Sequence, residues 1–473
     1  MRKKLGQPKA GEQLRLFEEA RVSLRPEVKV SGTDRRPSGK SHYLSLLARN
    51  RAFTQDLLDK IMSVENLNKA YHSVKRNGGS SGVDQMEVSA LSAWLATNGE
   101  ELIHQVLAES YEPQPILGVK IPKPAGGFRQ LGIPTVIDRL LQQAIHQQLQ
   151  VLYDPLFSDH SYGFRPGRGA LQAVSRASEY ISQGYGWVVD IDLKSFFDHI
   201  NHDRLMQRLS KGIGDQRLLR LIRKYLRTGL MQSGLTQQRI SGTPQGGPLS
   251  PLLSNIVLDE LDKELEIRGH AFVRYADDCN IYVKSQAAGE RVLRSITRFI
   301  EHKLKLKVNE AKSGVRRCEQ VSFLGYTILP DGGIRVADKS LARFKKKIRE
   351  VTKRNRGISY DQLIQQVNII LRGWYNYFRL ANRWLCWRAL DGWIRRRLRS
   401  YRLKQCARRY TIFKFLRSIG GEAKQTWNAI FYSGGWWKMS AKMVCQRTMN
   451  KEWFIRQGLH SLVGLAQRQG LKG

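Results

Sequence analysis

The sequence predicts an α+β fold in which short strands joined by tight turns precede a basic, wholly helical region. Short β-prone runs bounded by glycine, proline or acidic turns recur between residues 118 and 328, which is typical of hairpins. Beyond residue 335, apolar residues recur at three- and four-residue spacing, which is typical of amphipathic helices. The chain has 473 residues, enough for roughly two to four domains.

The charge of the chain indicates a polyanionic partner. Lys and Arg number 79 against 41 Asp and Glu, which gives a net charge of +38 and an isoelectric point near 10.3. Nucleic acid is the first candidate for such a partner. No apolar run approaches the ~20 residues of a membrane-spanning helix, so we expect no membrane partner. The five cysteines form no Cys-x-x-Cys pair and no secretory signal follows Met1, which favours a reducing compartment.

The first elements predicted along the chain are a tail, a helical stretch and a hairpin. Residues 1–45 mix Lys, Arg, Gly, Pro and Ser, and we expect a basic tail there. Helical periodicity starts at about residue 46 and ends in the turn-forming run Asn77–Asp84. Further on, two β-prone runs flank a glycine turn, with Lys123 before it and Arg129 after it. Two such cations can hold a triphosphate, or they can simply be solvated.

A run from Val188 to Leu193 predicts a buried strand that carries two acids, Asp190 and Asp192. A carboxylate in such a strand is costly unless it is paired or bound to a metal. Either acid is therefore a candidate metal ligand, and composition does not separate them.

Two adjacent acids, Asp277 and Asp278, lie between the β-prone runs Phe272–Tyr275 and Cys279–Val283. This pattern predicts a hairpin with the acids at its turn. Adjacent carboxylates raise each other's pKa unless a cation lies between them, and Mg²⁺ is the candidate because it prefers oxygen ligands. A solvated turn without a metal is the alternative.

The region from Arg343 to Gly420 is strongly basic, with 22 Lys and Arg against three acids. An apolar stripe at helical spacing runs through it, and we expect its aromatic residues to be core. The basic residues interleaved with this stripe suit a groove that binds phosphates. Those we predict to bind RNA are Arg372, Arg379, Arg383, Arg395, Arg396 and Arg397.

Together and in this order, these motifs resemble those of group II intron-encoded reverse transcriptases, the maturase family. Tyr275–Asp278 resembles the catalytic hairpin of the family. Asp192–Asp198 resembles the strand that carries the first catalytic aspartate of the family, which assigns Asp192 over Asp190. Gln245–Pro251 resembles the Gln-Gly-x-x-x-Ser-Pro motif beside the incoming nucleotide. Three more stretches resemble the fingers hairpin, the primer grip and the maturase thumb, called domain X: Ile121–Gly132, Phe323–Tyr326 and Leu371–Phe378.

The resemblance implies a right-hand polymerase with fingers and palm, in which helices accompany an antiparallel palm sheet. A helical thumb (domain X) and a small basic C-terminal region are expected to follow. We therefore expect four regions: a basic tail (1–45), fingers and palm (46–334), the RNA-binding thumb (335–425) and a DNA-binding region (426–473). No Cys/His cluster follows domain X, so we expect no endonuclease domain.

The resemblance also implies roles for individual residues. Two Mg²⁺ ions would be held by Asp192, Asp277, Asp278 and the carbonyl oxygen of Leu193, and Lys312 would protonate the leaving pyrophosphate. The residues implied to contact the nucleotide are Lys123, Arg129, Phe197, Gln245 and Gly246, where Phe197 leaves no room for a 2′-hydroxyl. The implied primer grip is formed by Phe323, Leu324 and Gly325.

The implied function is that of an RNA-directed DNA polymerase and maturase. Such a protein binds group II intron RNA, assists splicing and reverse splicing into target DNA, and copies the inserted intron from dNTPs by target-primed reverse transcription. The expected location is a bacterial cytoplasm, in a nucleoid-associated ribonucleoprotein. Two alternatives stay open: a reverse transcriptase not tied to an intron (defence-associated or retron-like), and a splicing factor that acts only by binding RNA. The sequence indicates no oligomeric state.

Overall fold

The computed structural model describes residues 51, 53–122, 126–232, 235–237, 241–243, 246–381 and 384–468. The described residues divide into two compact units, one within residues 1–169 and 189–315 and the other within residues 170–188 and 316–473. The predicted tail, residues 1–45, lies outside the described residues. No helix in the described part of the chain combines the length and apolarity that crossing a membrane requires.

The helices, in chain order, are α1 (Leu57–Ile61), α2 (Val64–Asn77), α3 (Leu91–Leu107), α4 (Val136–Tyr153), α5 (Ala170–Ser182), α6 (His202–Gly212), α7 (Gln216–Arg227), α8 (Ser250–Ile267), α9 (Gln286–Phe299), α10 (Asp338–Val351), α11 (Tyr360–Phe378), α12 (Trp384–Gln405), α13 (Arg409–Ser418), α14 (Ala423–Phe431), α15 (Trp436–Met439), α16 (Met443–Thr448), α17 (Lys451–Arg456) and α18 (Leu462–Arg468). The strands are β1 (Ile116–Pro122), β2 (Phe128–Ile133), β3 (Trp187–Ile191), β4 (Leu230–Gln232), β5 (Leu235–Gln237), β6 (Ala271–Tyr275), β7 (Asp278–Val283), β8 (Gly314–Arg317), β9 (Tyr326–Ile328) and β10 (Ile334–Val336). The mixed helix and sheet content confirms the predicted α+β class.

One sheet of the first unit has the strand order β2-β1-β4-β5. Its β1 and β2 pair antiparallel from Leu117 opposite Ile133 to Pro122 opposite Phe128, which confirms the hairpin predicted around the glycine turn. Strand β1 also runs parallel to β4. Helices α2 and α4 pack together in the same unit, where the buried Asn66 side chain donates to the Ala144 carbonyl at 3.0 Å.

The second four-stranded sheet has the order β6-β7-β3-β8, and we call it the palm sheet. Its β6 and β7 form an antiparallel hairpin, as the sequence predicts. Ser285 caps the N-terminus of α9, where its side chain accepts a hydrogen bond from the Ala288 amide. The helix continues into one π-helical turn over Ile300–Leu304. That turn ends at Lys305 in a left-handed conformation, φ 57°, from which the chain returns toward β3.

The second unit is mainly helical, with the short antiparallel pair β9 and β10. Helix α11 begins with a capping box, in which the Ser359 side chain accepts from the Gln362 amide and the Gln362 side chain binds back to Ser359. Leu363, Val367 and Leu371 of its apolar stripe are fully buried, as predicted. The expectation that the aromatic residues are core is wrong for Tyr377, which is 41% exposed because its hydroxyl reaches out to the Leu324 carbonyl. The long helix α12 packs on α18, where the Asp391 carboxylate accepts hydrogen bonds from two amides of the first turn of α18.

Candidate active site

The turn between β6 and β7 carries the two adjacent acids. Tyr275 pairs with Asp278 across the hairpin, so that Ala276 and Asp277 form a two-residue loop. Ala276 has a positive φ of 58°, which a tight hairpin turn requires and which a residue with a Cβ adopts at a cost. The Asp277 and Asp278 side chains are both half-buried at this end of the palm sheet.

Asp192 directly follows the last residue of β3 and is held by the segment after α9. The Asn309 side-chain amide donates to Asp192 Oδ2 at 2.8 Å, and the Lys312 ammonium lies 3.4 Å from the same oxygen. The Asp192 backbone amide donates to Ser313 Oγ at 2.9 Å, and the Asn309 amide donates to the Asp192 carbonyl at 2.8 Å. The side chain keeps 39% exposure, which leaves it accessible to a ligand.

The acids of the two elements lie near one another. Burial raises the pKa of Asp278 to about 7, and the charges of Asp190, Asp277 and Asp192 add to the rise in that order. Coulomb repulsion falls with distance, so these carboxylates of the β3 segment and of the β6–β7 turn are close enough to influence one another. The charge of Asp190 raises the pKa of Asp278 more than the charge of Asp192 does. The effect on Asp278 therefore does not show which of Asp190 and Asp192 is the metal ligand.

A divalent cation fits this arrangement chemically. Among the described residues no group of three or more His, Cys, Asp and Glu side chains forms a ready-made metal site. Mg²⁺ is usually held by one or two carboxylates, with waters and substrate phosphates as the remaining ligands, and not by an all-protein cage. Partly exposed carboxylates that repel one another meet that requirement. The Leu193 backbone lies beside them, in an isolated β-bridge with Val308.

Two stretches predicted to contact the nucleotide meet in the first unit. A Cβ added to Gly246, whose φ is +136°, would lie 2.2 Å from the Gly132 carbonyl oxygen at the end of β2. Arg129 lies three residues earlier in β2, opposite Ile121, and is exposed. Lys123 and Gln245 fall outside the described residues.

Phe197 lies in a 3₁₀ turn, Phe196–Asp198, just after Asp192. Its ring is 9% exposed and lies 5.2 Å from the Phe196 ring, measured between centroids. Its carbonyl accepts a hydrogen bond from the Thr243 amide at 2.7 Å, which ties the turn to the segment before Gly246.

The predicted primer grip is a tight turn of the second unit. Phe323 and Tyr326 exchange two backbone hydrogen bonds of 2.9 Å, and both residues between them have positive φ, 50° at Leu324 and 80° at Gly325. The Tyr377 hydroxyl of α11 donates to the Leu324 carbonyl at 3.0 Å, and the Tyr326 hydroxyl donates to the Tyr377 carbonyl. The turn is therefore anchored on helix α11.

The predicted RNA-binding arginines differ in their surroundings. Arg372 and Arg379 are exposed on and just after α11, whereas Arg395, Arg396 and Arg397 are half-buried on α12. Arg396 stacks on Trp437 at 4.1 Å.

Arg397 makes contacts within the protein. Its Nε donates to Thr352 Oγ1 at 2.5 Å, and its Nη2 donates to the Arg349 and Thr352 carbonyls. It therefore joins α12 to the end of α10. Arg383 falls outside the described residues.

Sequence reasoning missed the residues that contact Asp192 or the turn before Asp277, above all Asn309, Ser313 and Arg274. Asn309 and Ser313 flank the candidate Lys312, so the only available signal was their position in a polar segment next to it. Arg274 directly precedes the catalytic-hairpin motif and is completely buried. The burial of an arginine in a short strand cannot be predicted from the sequence.

Comparison with known proteins matches two families to the chain. Residues 121–328 match the family described as "Reverse transcriptase (RNA-dependent DNA polymerase)", and residues 341–417 match "Group II intron, maturase-specific domain". Protein YkfC of Escherichia coli is 32% identical over 287 residues, which cover 52% of this chain and 75% of that protein.

Two further relatives are encoded in introns according to their names. The group II intron-encoded protein LtrA of Lactococcus lactis subsp. cremoris is 30% identical over 325 residues, which cover 55% of this chain and 54% of LtrA. The putative COX1/OXI3 intron 2 protein of Saccharomyces cerevisiae is 28% identical over 331 residues, covering 57% of this chain and 38% of that protein. The matched region thus spans about half of LtrA and less of the yeast protein.

Proposed function

Because this chain belongs to the family of group II intron-encoded reverse transcriptases and maturases, we propose that it copies a group II intron RNA into DNA and assists the splicing of that intron. Residues 121–328 are its RNA-directed DNA polymerase domain. The observation that carries the proposal is the β6–β7 hairpin, whose turn holds Asp277 and Asp278 side by side; burial, with the charges of Asp190, Asp277 and Asp192, raises the pKa of Asp278. A polymerase needs such a group of carboxylates where the primer end meets the triphosphate.

We assign Asp192, Asp277, Asp278 and the Leu193 carbonyl as oxygen donors to two Mg²⁺ ions. With Mg²⁺ held by these oxygens, the pKa of the attacking primer 3′-hydroxyl would be lowered and the charge of the departing pyrophosphate would be offset. Asn309 fixes Asp192 through Oδ2 and thereby orients the carboxylate toward its ligand. We assign the proton for the pyrophosphate to Lys312, whose side chain is 68% exposed and whose ammonium lies beside Asp192.

Arg129 and Lys123 are assigned to the triphosphate, the Gln245–Gly246 segment to the face of the nucleotide, and Phe197 to its sugar. The close approach of Gly246 to the end of β2 supports a shared nucleotide site for these motifs. Arg129 can bind phosphate oxygens with two parallel hydrogen bonds, which fixes the triphosphate more narrowly than a point charge does.

Phe197→Ala is expected to admit ribonucleotides, because the ring would no longer occupy the space of a 2′-hydroxyl. The ratio of kcat/KM for a deoxynucleotide to that for the matching ribonucleotide should fall by at least roughly tenfold. This ratio does not depend on how much of the preparation is folded, which matters because truncating a buried Phe costs about 3–5 kcal/mol. Phe196→Ala is the matched control, since it removes the adjacent buried ring, and an unchanged ratio in Phe197→Ala removes Phe197 from this role.

Gly246→Ala is expected to lower kcat/KM for every deoxynucleotide by on the order of 100-fold, the cost of misplacing a reactant by about 1 Å. The added Cβ would lie 2.2 Å from the Gly132 carbonyl, so the loop must shift away from β2. Steady-state primer extension over a range of dNTP concentrations measures the effect. Gly269→Ala is the control, because Gly269 also has a positive φ, +69°, but has open space around it; equal losses in both variants would contradict the placement of Gly246.

The maturase role is assigned to the second unit, with intron RNA as the partner. The maturase-specific match at 341–417, the charge of +38 and the exposed Arg372 and Arg379 support RNA binding there. We assign target DNA to the region after the thumb, residues 426–473, and the primer terminus to the turn at Phe323, Leu324 and Gly325. In this proposal the protein works in the cytoplasm as a ribonucleoprotein with its intron.

Sequencing of the RNA that co-purifies with the full chain, combined with primer extension on that RNA, tests the proposal. A structured group II intron that the protein copies into DNA is the expected result. Random cellular RNA would favour a reverse transcriptase not tied to an intron, an alternative that the maturase-specific match disfavours. Intron RNA without any DNA synthesis would favour a splicing factor that acts only by binding.

A further inference from the structure

Arg274, in β6, lies completely buried beneath the Ala276–Asp277 turn. Its Nε and Nη2 atoms bind both carboxylate oxygens of Asp262 on α8, at 2.7 and 2.6 Å. Its Nη1 donates to the Ala276 carbonyl at 2.8 Å and to Asn255 Oδ1 at 3.0 Å. Asp262 and Asn255 of α8 thus hold the guanidinium on one side, and the guanidinium binds the Ala276–Asp277 turn on the other side.

The segment before α5 makes a second contact with the turn, which restricts the position of Ala276. The Gly163 backbone lies so close that an added Cβ would be 2.3 Å from the Ala276 amide nitrogen. Asn255, which accepts from Arg274, also donates to the Gly163 carbonyl at 2.9 Å. The backbone of Arg274 is tied to the same segment, since its amide donates to the His160 carbonyl and its carbonyl accepts from the Tyr162 amide.

A buried ion pair is an expensive way to gain stability, because apolar residues of similar volume often serve equally well. An apolar residue cannot, however, donate a hydrogen bond to a turn carbonyl. A lysine offers one ammonium where arginine offers a planar fork with donors on several atoms. Only the arginine therefore binds Asp262 with two atoms while a third atom reaches Ala276.

We propose that Arg274 is a positioning residue for nucleotide addition, which sets the place of the Asp277 carboxylate by fixing the Ala276 carbonyl between α8 and Gly163. This inference rests on the proposed polymerase function. It predicts that the position of the turn, and not only the stability of the fold, depends on the Nη1 hydrogen bond.

The test is Arg274→Lys, which keeps a cation against Asp262, so that the buried carboxylate is not left without a charged partner. Primer extension at steady state, measured at a temperature well below the melting midpoint of each protein, should show kcat lowered by on the order of 100-fold, as for a misplacement of about 1 Å. The KM for dNTP and the affinity for an RNA template with a DNA primer should stay near wild type. Binding of Mn²⁺ to the complex with dNTP and a dideoxy-terminated primer, followed by electron paramagnetic resonance, should weaken without any turnover.

Arg208→Lys is the matched control, because Arg208 also binds an α8 acid, Asp259, but lies on α6 and not in the β6–β7 hairpin. If Arg274 matters only for stability, both variants lose kcat in step with their melting midpoints, and the proposal is overturned. If Arg274→Lys does not fold, Gly163→Ala decides, since its Cβ pushes the turn from the other side. Lowered kcat with retained primer–template affinity supports the proposal, and unchanged kcat rejects it. A wild-type protein that adds no nucleotide rejects the polymerase function instead.

Discussion

Asp277→Ala is expected to abolish nucleotide incorporation, with a loss of at least about 10³-fold, while the protein still binds its RNA. Metal coordination contributes several kcal/mol to the transition state, and each 1.4 kcal/mol corresponds to tenfold in rate. Asp277 lies at the tip of the β6–β7 hairpin, outside the strand pairing, so its removal leaves the hairpin register intact. RNA affinity comes from cations that meet phosphates, and this substitution removes none.

Primer extension on an RNA template and a filter-binding titration of the intron RNA measure the two quantities on one preparation. Glu290→Ala is the control, because Glu290 is an exposed acid on α9 that contacts Gln286 only within its own helix among the described contacts. Synthesis that survives in Asp277→Ala would reject the assignment of the active site.

The same variant separates the polymerase from the maturase. If RNA binding suffices to assist splicing, the Asp277→Ala protein should rescue intron splicing at limiting Mg²⁺ as well as the wild type does. The phosphodiester chemistry then belongs to the RNA, and the protein supplies cations such as Arg372 and Arg379 that stabilise its fold. Failure to rescue, with normal RNA affinity, would show that the two roles share the palm.

The elements that the sequence predicts best are those with local turn chemistry. The β1–β2 hairpin around Gly126 and Gly127 and the hairpin at Ala276 and Asp277 follow from alternating runs broken by turn residues. Helix α11 follows from its apolar period, since packing needs the same face on every turn. In each case the information lies within about twenty residues, a range over which periodicity and turn residues are informative.

The supports of the site could not be predicted in this way, because they join distant stretches of chain. Asn309 reaches Asp192 across 117 residues, and Arg274 reaches Ser161 across 113. The arginines of α12 show the same limit. Arg396 and Arg397 are neighbours in the sequence, yet one stacks on Trp437 and the other bonds the end of α10. A helix period tells which face is apolar, but it does not tell what each cation on the other face will meet.

Asp192→Asn is expected to lower incorporation by at least about 10³-fold, as the loss of a metal-binding carboxylate should. The rate of incorporation by Asp190→Asn should stay within roughly tenfold of wild type. Removing a charge that only neighbours the metal site should cost about 1.4 kcal/mol, which corresponds to tenfold in rate. The two acids are two residues apart, a spacing that puts side chains on one face of a strand, so the sequence pattern cannot separate them. The surroundings differ, because Asp192 lies beyond the strand end, partly exposed and held by Asn309, whereas Asp190 lies within β3.

The asparagine variants keep side-chain size, so each difference reports the charge and not a cavity. Primer extension gives the rates, and Mn²⁺ titration of the complex with a dideoxy-terminated primer shows which acid the metal needs. Asp198→Asn is the control, since Asp198 is an exposed acid in the turn just after Asp192. A large loss of incorporation in Asp190→Asn with a small loss in Asp192→Asn would show that Asp190, within β3, is the metal ligand. This outcome is possible because the charge of Asp190 raises the pKa of Asp278 more than the charge of Asp192 does. Equal large losses would mean that both carboxylates serve the metals, and the hydrogen bond from Asn309 would then orient only one of the two.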